Sequence, residues 1–341
     1  MFRKAYTAIL PSVMLALLAT SALSQDIKSI AILTPEQGTD FGWNQQGVDG
    51  AKAAGKATGV EVITAENLGY GDVRPTLREL AEDGNTLLIA HASGYNTAAP
   101  EIGAELGVKV AIVDSPASLK NGAVADYTAS GHEGAYLAGR LAAKMSRSGA
   151  VGIVVSGEPP SWNSQSAAFA EGVKAEKAST VIRYAVIGPA AYSDAAGGKR
   201  VTESLIASGA DIIFGQGNGS SFGMLQAVET TKAVDGGKVL FIDVIGDKST
   251  IDKGYLLSSV LWNLTPIYTA MIEDIKADKF GSRNYDIALK NDSVSLLKTP
   301  QIPDDIWTSV MAIRDQIVKG DIKVTPKFDA DSVHALVSEL K

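Results

Sequence analysis

Short apolar runs alternate with amphipathic stretches along most of the chain. In the first half, strands are predicted over 29–33, 60–64, 86–90 and 108–113, and helices over 44–57, 73–83 and 97–106 separate them. The strands are apolar on both faces, which is typical of a parallel sheet covered by helices on either side. The pattern therefore predicts an α/β fold.

The same alternation restarts in the second half. After a predicted helix over 132–145, predicted strands over 151–155, 181–186, 212–214 and 239–242 alternate with helices over 164–176, 195–207 and 222–233. A strand over 256–261, a helix ending near 277, weak strands near 287 and 294, and a helix over 304–319 follow. No Ser/Gly-rich linker separates the halves. We therefore expect two α/β lobes between which the chain crosses on strands, forming a hinge.

The N-terminus has the pattern of a secretory signal peptide. Arg3 and Lys4 precede an uncharged, mostly apolar stretch over 5–23, and small residues suit a cleavage site after Ser24. We predict a cleaved signal peptide over 1–24. The alternative is an uncleaved membrane anchor, which the stretch is just long enough to form, although its polar residues and proline disfavour it.

Composition narrows the functional classes. The 341 residues suit two domains, and the net charge of -7 argues against a nucleic-acid partner, whose phosphates need a basic surface. The absence of cysteine excludes disulfides, thiolate metal sites, a cysteine nucleophile and the attachment of a lipoprotein anchor. We therefore expect a protein that is free in the periplasm.

The sequence shows no recognisable catalytic or metal site. His91, His132 and His334 are far apart, and we interpret them as structural or surface residues. The glycine-rich segment over 215–219 follows a predicted strand, but its spacing does not fit a dinucleotide-binding loop. We interpret its glycines as bringing the backbone close to a ligand. We expect no cofactor, no metal and no enzymatic activity.

The loops after the predicted strands form the candidate site, because ligands of open α/β sheets bind beyond the carboxyl ends of the strands. Asp40, Phe41, Trp43 and Asn44 follow the first strand. A tryptophan offers a flat face for stacking, and an amide both donates and accepts hydrogen bonds. Alternatively, Trp43 is a hydrophobic staple and Asp40 or Asn44 caps the following helix. The residues alone leave both interpretations open.

Other strand ends carry comparable polar and aromatic residues. These are Gly94, Tyr95, Asp114, Asn218 and Phe222. Ordinary capping and turn chemistry also explains each of them singly. Their coincidence at one edge favours a binding cleft, with a planar ligand held between Trp43 on one lobe and Phe222 on the other.

Several segments resemble the basic membrane protein family of ABC solute-binding proteins, whose characterised members bind purine nucleosides or bases. Residues 40–45 (DFGWNQ) resemble the family's Asp-x-(Gly/Ser)-aromatic-Asn-Gln segment, and residues 133–139 (EGAYLAG) resemble its Glu-Gly-x-(Tyr/Phe)-Leu-Ala-Gly helix. Residues 209–214 also match in order and spacing. The similarity covers nearly the whole chain after the predicted signal peptide.

The resemblance implies the type I periplasmic binding protein fold, in which a hinge of three crossovers joins two Rossmann-like lobes with parallel sheets. We expect an N-terminal lobe from 25–128 plus about 259–292, and a C-terminal lobe from 129–258 plus about 293–341. The resemblance further implies that Trp43 and Phe222 stack on the ligand, that Asn44 bonds it, and that Asp114 lies at the pocket edge.

Two departures from the family bear on the ligand. Members that bind ribose have Gly-Val-Asp-Ser-Asp near Val244, whereas here Ile245 replaces the first aspartate and Asp247 remains. Trp262 stands where those members have a lysine. Because the lost carboxylate and ammonium suit ribose hydroxyls, these changes favour a free base over a nucleoside.

We therefore predict the periplasmic solute-binding component of an ABC importer. It would capture a purine base or nucleoside in the cleft between its lobes and deliver it to permease subunits in the inner membrane. Alternatives of the same fold are a sugar-type binding protein and a binder of another small planar solute. An exported enzyme is a further alternative, for which the sequence shows no convergent acid–base or nucleophile set.

Overall fold

The computed structural model describes residues 1, 27–129 and 131–339. Apart from Met1, the predicted signal peptide lies outside the described residues. Within the described ranges the strands are β1 (Ser29–Leu33), β2 (Glu61–Ala65), β3 (Leu87–Ala90), β4 (Lys109–Val113), β5 (Val124–Thr128), β6 (Ala150–Val155), β7 (Val181–Val186), β8 (Ile212–Gln216), β9 (Leu240–Ile245), β10 (Leu256–Trp262), β11 (Tyr285–Asp286), β12 (Val294–Leu296) and β13 (Ser338–Glu339). The helices are α1 (Trp43–Thr58), α2 (Arg74–Glu82), α3 (Ala98–Leu106), α4 (His132–Met145), α5 (Pro160–Glu176), α6 (Ala195–Ala207), α7 (Ser220–Thr230), α8 (Thr265–Lys276), α9 (Asp304–Lys319) and α10 (Ala330–His334).

The strands form two sheets, one in each lobe. The first sheet has the order β11-β5-β4-β3-β1-β2, and the second has the order β12-β10-β9-β8-β6-β7-β13. Every pairing is parallel except that of β12 with β10. Central strands such as β3 and β8 are buried along their whole length, because helices cover both faces of each sheet. The predicted fold of two mostly parallel α/β lobes is confirmed.

The chain passes between the two sheets three times. It leaves the first sheet after β5, returns after β10, and crosses again between β11 and β12. β10 pairs with β9 up to Leu261 and with β12 at Trp262, so this strand belongs to the second sheet throughout. The structure thus places the second crossing after Trp262, whereas the sequence predicted a lobe boundary near 259, inside the strand.

One internal strand was not predicted. β5 pairs with β4 and β11 in the first sheet, but Asp126 and Tyr127 interrupt its apolar pattern. Both side chains are nevertheless fully buried, because each finds hydrogen-bond partners inside the lobe. A strand with internal polar residues of this kind does not show the periodicity on which the prediction relied.

Helix α8 completes the first lobe after the second crossing. It packs against α1, and Gly50 of α1 leaves room for the backbone at Leu264 and Thr265, where α8 begins. No helix in the described ranges is long and apolar enough to cross a lipid bilayer.

Two helix pairs of the second lobe are in direct backbone contact. Between α4 and α5, a Cβ atom at Gly139 would overlap the carbonyl group of Phe169, and one at Gly172 would overlap the carbonyl group of Tyr136. Between α6 and α7, Gly198 and Gly223 have the same role. These glycines let the helices approach each other more closely than any side chain would permit.

We expect Gly172→Ala to lower the free energy of unfolding by about 1–3 kcal/mol, because the added methyl group overpacks the contact between α4 and α5. The matched control is Gly71→Ala, since a Cβ atom at Gly71 has no neighbour within 4 Å. Its effect should stay within about 0.5 kcal/mol. Denaturant unfolding of both variants measures the difference. Equal losses in the two variants would contradict the role assigned to Gly172.

Candidate functional site

A cavity of about 140 Å³ lies between the two lobes, at the carboxyl ends of strands from both sheets. The first lobe and the first crossing contribute Pro35, Trp43, Tyr70, Ala92, Ser93, Val113, Asp114 and Ala129. The second lobe contributes Pro159, Ser161, Trp162, Tyr192, Asn218, Ile245 and Trp262. Five of these side chains are aromatic, so the walls offer flat apolar faces together with a few polar groups.

Trp43 is held rigidly in the wall of the cavity. Its ring stacks on His91 with centroids 3.7 Å apart and planes 11° apart, and the Trp262 ring stands perpendicular to it at 6.0 Å. Its Nε1–H donates a hydrogen bond of 3.0 Å to the carbonyl oxygen of His91. Because packing and a hydrogen bond fix the ring, a ligand that stacks on it would not have to order it.

The His91 imidazole behind Trp43 is neutral and structural. Its Nε2 lies 2.8 Å from the carbonyl oxygen of Trp43, which can only accept, so Nε2 carries the proton. Its Nδ1 then accepts from the hydroxyl of Tyr127 at 2.6 Å, and the hydroxyl of Tyr268 lies 3.0 Å away. Complete burial lowers the pKa of His91 to about 4. In the described part of the chain, no group of three or more His, Asp or Glu side chains is arranged to hold a metal ion.

Asp114 is the acidic group of the cavity wall. Its backbone has φ of 53°, in the left-handed region, and its Oδ1 accepts the N–H of Ala129 at 2.7 Å. Desolvation by the surrounding protein raises the pKa of Asp114 to about 6, the N–H of Ala129 opposes this rise, and the charge of Asp126 adds to it. Asp126 lies behind the wall, where its Oδ1 accepts the N–H of Ser115 at 2.6 Å.

Contacts outside the cavity hold the lobes together. Lys248 is only 1% exposed, and its Nζ lies 2.5 Å from Oδ2 of the buried Asp243 and 3.2 Å from the carbonyl oxygen of Phe41 on the other lobe. Phe41 and Phe222 meet edge to face across the same boundary, with centroids 6.2 Å apart. The Lys248 ammonium lies 5.3 Å from the centroid of the Phe222 ring. We call these four residues the interlobe clamp. The two lobes are therefore in direct contact through this clamp.

Of the residues predicted for the site, Trp43, Asp114, Asn218 and Trp262 line the cavity. Oδ1 of Asn218 is buried without a hydrogen-bond partner in the described part of the chain, as is Nε1 of Trp262.

Asp40 and Asn44 instead brace the start of α1. The Asp40 carboxylate accepts backbone N–H groups of the first turn, from Gly42, Asn44 and Gln45. The Asn44 side chain is fully buried, donates to Asp40 at 2.8 Å and accepts from the N–H of Glu36. Asp40 therefore caps the helix, as the alternative interpretation had it, and Asn44 holds the Asp40 carboxylate in place.

The other residues predicted for the site do not line the cavity. Phe41 and Phe222 belong to the interlobe clamp. The sequence predicted that Phe222 would face Trp43 across the cavity, but Phe222 does not line the cavity. Gly94 is exposed beside Ser93, and Tyr95 is buried with its hydroxyl donating to the carbonyl oxygen of Gly69 at 2.6 Å. Asp247 is exposed and accepts the N–H of Ser249.

Three aromatic residues of the wall were missed. Trp162 follows β6, Tyr192 follows β7 and Tyr70 follows β2, so all three lie beyond the carboxyl ends of strands. The rule that selected Trp43 and Asn218 would have found them if it had been applied to every predicted strand. Ser161, beside Trp162, would have been found in the same way.

A family model and several known proteins are similar to this chain over most of its length. Residues 27–327 match the model of the Bmp family, described as ABC transporter substrate-binding protein PnrA-like. Basic membrane protein A1 of Borrelia garinii is 22% identical over 331 residues, covering 93% of this chain and 94% of its own. A purine-binding protein of Brucella abortus is 24% identical over 290 residues, covering 83% of this chain and 79% of its own.

Among solved structures, an ABC transporter solute-binding protein from Aeropyrum pernix has a TM-score of 0.74 with 19% identity, covering 90% of this chain and 96% of its own. At this identity the likeness concerns the fold, which is that of the type I periplasmic solute-binding proteins. Substrate-binding proteins of ABC importers bind small ligands outside the cytoplasmic membrane and deliver them to permeases. Since the family model spans most of the chain, the protein belongs to the PnrA-like family of ABC transporter substrate-binding proteins.

Proposed function

We propose that this protein captures a purine base, or else its nucleoside, in the interlobe cavity and delivers it to the permease of an ABC importer. The observation that carries the proposal is the cavity itself, which five aromatic side chains surround at the junction of the lobes. Purine rings are flat and apolar on their faces and polar on their edges. Such a wall, with Asp114, Asn218 and two serines between the aromatic rings, is complementary to both properties.

The size of the cavity favours a base over a nucleoside. At about 140 Å³ it is close to the roughly 150 Å³ of an engineered protein cavity that admits benzene. It is well below the roughly 300–1,000 Å³ typical of sites for larger ligands. Ile245 and Trp262, at the positions where ribose-binding members have an aspartate and a lysine, both line the wall. A free base needs neither of those charges.

The ligand would stack on Trp43 from the first lobe. From the second lobe, Trp162 and Tyr192 are the aromatic residues placed to cover its other face, since Phe222 lies in the interlobe clamp. The unpartnered Oδ1 of Asn218 is available to an edge of the base. Because the ligand contacts both lobes, its binding would shift the protein towards the closed form.

The proposal includes a periplasmic location. Cleavage after Ser24 would leave Gln25 as the first residue of the mature protein. We expect N-terminal sequencing of protein from the native host to begin at Gln25. Protein that still begins at Met1 would contradict this part of the proposal.

We expect Trp43→Ala to weaken purine binding by roughly 5- to 150-fold, because stacking of a base on an aromatic ring contributes about 1–3 kcal/mol. Calorimetry with adenine, guanine, hypoxanthine and their nucleosides measures the effect, and ribose and allose test the sugar-binding alternative. Trp307→Ala is the matched control, since Trp307 lies on α9, outside the cavity.

Three results would contradict the proposal. If the sugars bind and every purine fails, the proposed ligand class is wrong. If Trp43→Ala and Trp307→Ala leave purine affinity equally unchanged, the assignment of the site is wrong. Chemical conversion of the ligand during the measurement would show an enzyme instead.

The interlobe clamp should contribute to affinity without touching the ligand. We expect the double variant Lys248→Met with Asp243→Asn to bind purines roughly 2- to 10-fold more weakly, because it loses a hydrogen bond made only on closure, about 0.5–1.5 kcal/mol. The second substitution avoids an unpaired buried carboxylate. Small-angle scattering of the ligand-free double variant should show a more open protein than the wild type. Unchanged affinity and scattering would exclude this role.

A further inference from the structure

The walls of the cavity carry no basic side chain. Among the fifteen residues that line it in the described part of the chain, none is Lys, Arg or His, and Asp114 is the one carboxylic acid. Partial burial raises the pKa of Tyr70 to about 12, and burial also raises the pKa of Tyr192, so both phenols stay neutral. The side chains around a ligand therefore supply negative charge or none.

Two basic side chains that lie close to the cavity wall or in the interlobe clamp, His91 and Lys248, already have partners. The Lys248 ammonium bonds the Asp243 carboxylate and the carbonyl oxygen of Phe41, and it lies in the interlobe clamp rather than in the cavity wall. His91 is neutral because it is fully buried, and both of its ring nitrogens have partners behind Trp43. Neither group is available to neutralise an anionic ligand.

Several N–H groups at helix N-termini near the cavity are also occupied. The partial positive charge of a helix start can bind an anion, but only if its N–H groups are free. At α1 the Asp40 carboxylate takes N–H groups of the first turn. At α5 the N–H groups of Trp162 and Asn163 donate to the carbonyl oxygen of Pro159. At α7 the N–H of Ser220 donates to the carbonyl oxygen of Tyr192. Each of these N–H groups therefore already has an acceptor within the protein.

The remaining polar and aromatic side chains of the cavity wall favour a ligand that donates hydrogen bonds. Asp114 lines the cavity, its Oδ1 accepts from the N–H of Ala129, and no hydrogen bond to its Oδ2 is found among the described residues. Trp43, Trp162 and Trp262 add electron-rich ring faces, which attract cations and repel anions. A ligand with N–H groups or a positive charge on one edge satisfies both features.

We propose that the cavity selects its ligand by charge: it accepts planar solutes that are neutral or cationic and carry N–H donors towards Asp114, and it rejects anionic solutes of the same shape. This inference rests on the proposed function, because it names the chemical class of ligand within the same site. It makes Asp114 the residue that determines charge specificity. Amino-substituted bases meet the requirement, and oxidised, acidic purines do not.

The test compares ligands that share a ring framework and differ in charge. Adenine and urate are both purines, but urate is an anion at neutral pH, and nicotinamide and nicotinate form the corresponding single-ring pair. Calorimetry at pH 7.5 should show the uncharged member of each pair binding at least about 10-fold more tightly, which is about 1.4 kcal/mol. Asp114→Asn should reduce that ratio at least about threefold, because the amide keeps the shape and removes the charge.

Asp247→Asn is the matched control, since the same chemical change at this exposed residue lies outside the cavity. It should leave the ratio unchanged. The comparison of ligand pairs on the wild-type protein needs no variant, so the charge preference is measured even if Asp114→Asn is unstable.

The outcomes separate this inference from the function on which it rests. If adenine and urate bind equally well, and Trp43→Ala weakens both, the purine site stands and the charge selection is wrong. If the ratio is large but Asp114→Asn and Asp247→Asn both preserve it, the assignment to Asp114 is wrong. If no purine and neither single-ring compound binds, the proposed function is wrong and this inference with it.

Discussion

The ring of His91 lies between the cavity wall and the core of the first lobe. It is nearly parallel to Trp43, 3.7 Å away, and to Tyr127, 6.1 Å away, and it belongs to a hydrogen-bonded group with Tyr127 and Tyr268. Trp43 begins α1, Tyr127 lies in β5 and Tyr268 lies in α8, so this one imidazole joins three elements that are distant in sequence. The absence of a side chain at Gly47 makes room for it. The position of Trp43, and hence of the cavity wall, depends on this arrangement.

Three of the seven non-glycine residues with positive φ in the described ranges lie around the cleft. Phe41, Asp114 and Ile245 have φ of 51°, 53° and 73°, in the region that glycine normally occupies. Ile245 is the strongest outlier, because a β-branched residue rarely adopts a positive φ. All three lie at the cavity wall or in the interlobe clamp. A strained backbone at such positions is typical of a functional site, where the surrounding structure holds it in place.

Much of the fold was predictable because most strands are continuously apolar. β5 was not, since Asp126 and Tyr127 are buried through hydrogen bonds that only the folded lobe reveals. In the site, the strand-end rule located Trp43 and Asn218. The rule could not show whether Asn44 binds a ligand or braces a helix, because its role depends on the direction of its side chain. The sequence also could not show that Phe222 packs against Phe41 instead of lining the cavity.

The three crossings of the chain between the sheets have a consequence for synthesis. Helix α1 is among the first elements made, but its partner α8 follows only after five of the seven strands of the second sheet. The edge strand β11 of the first sheet comes later still. Domains generally fold as units in the order of synthesis. Here the first lobe cannot complete its core until most of the second has left the ribosome, so the folding of the first lobe depends on the synthesis of the second.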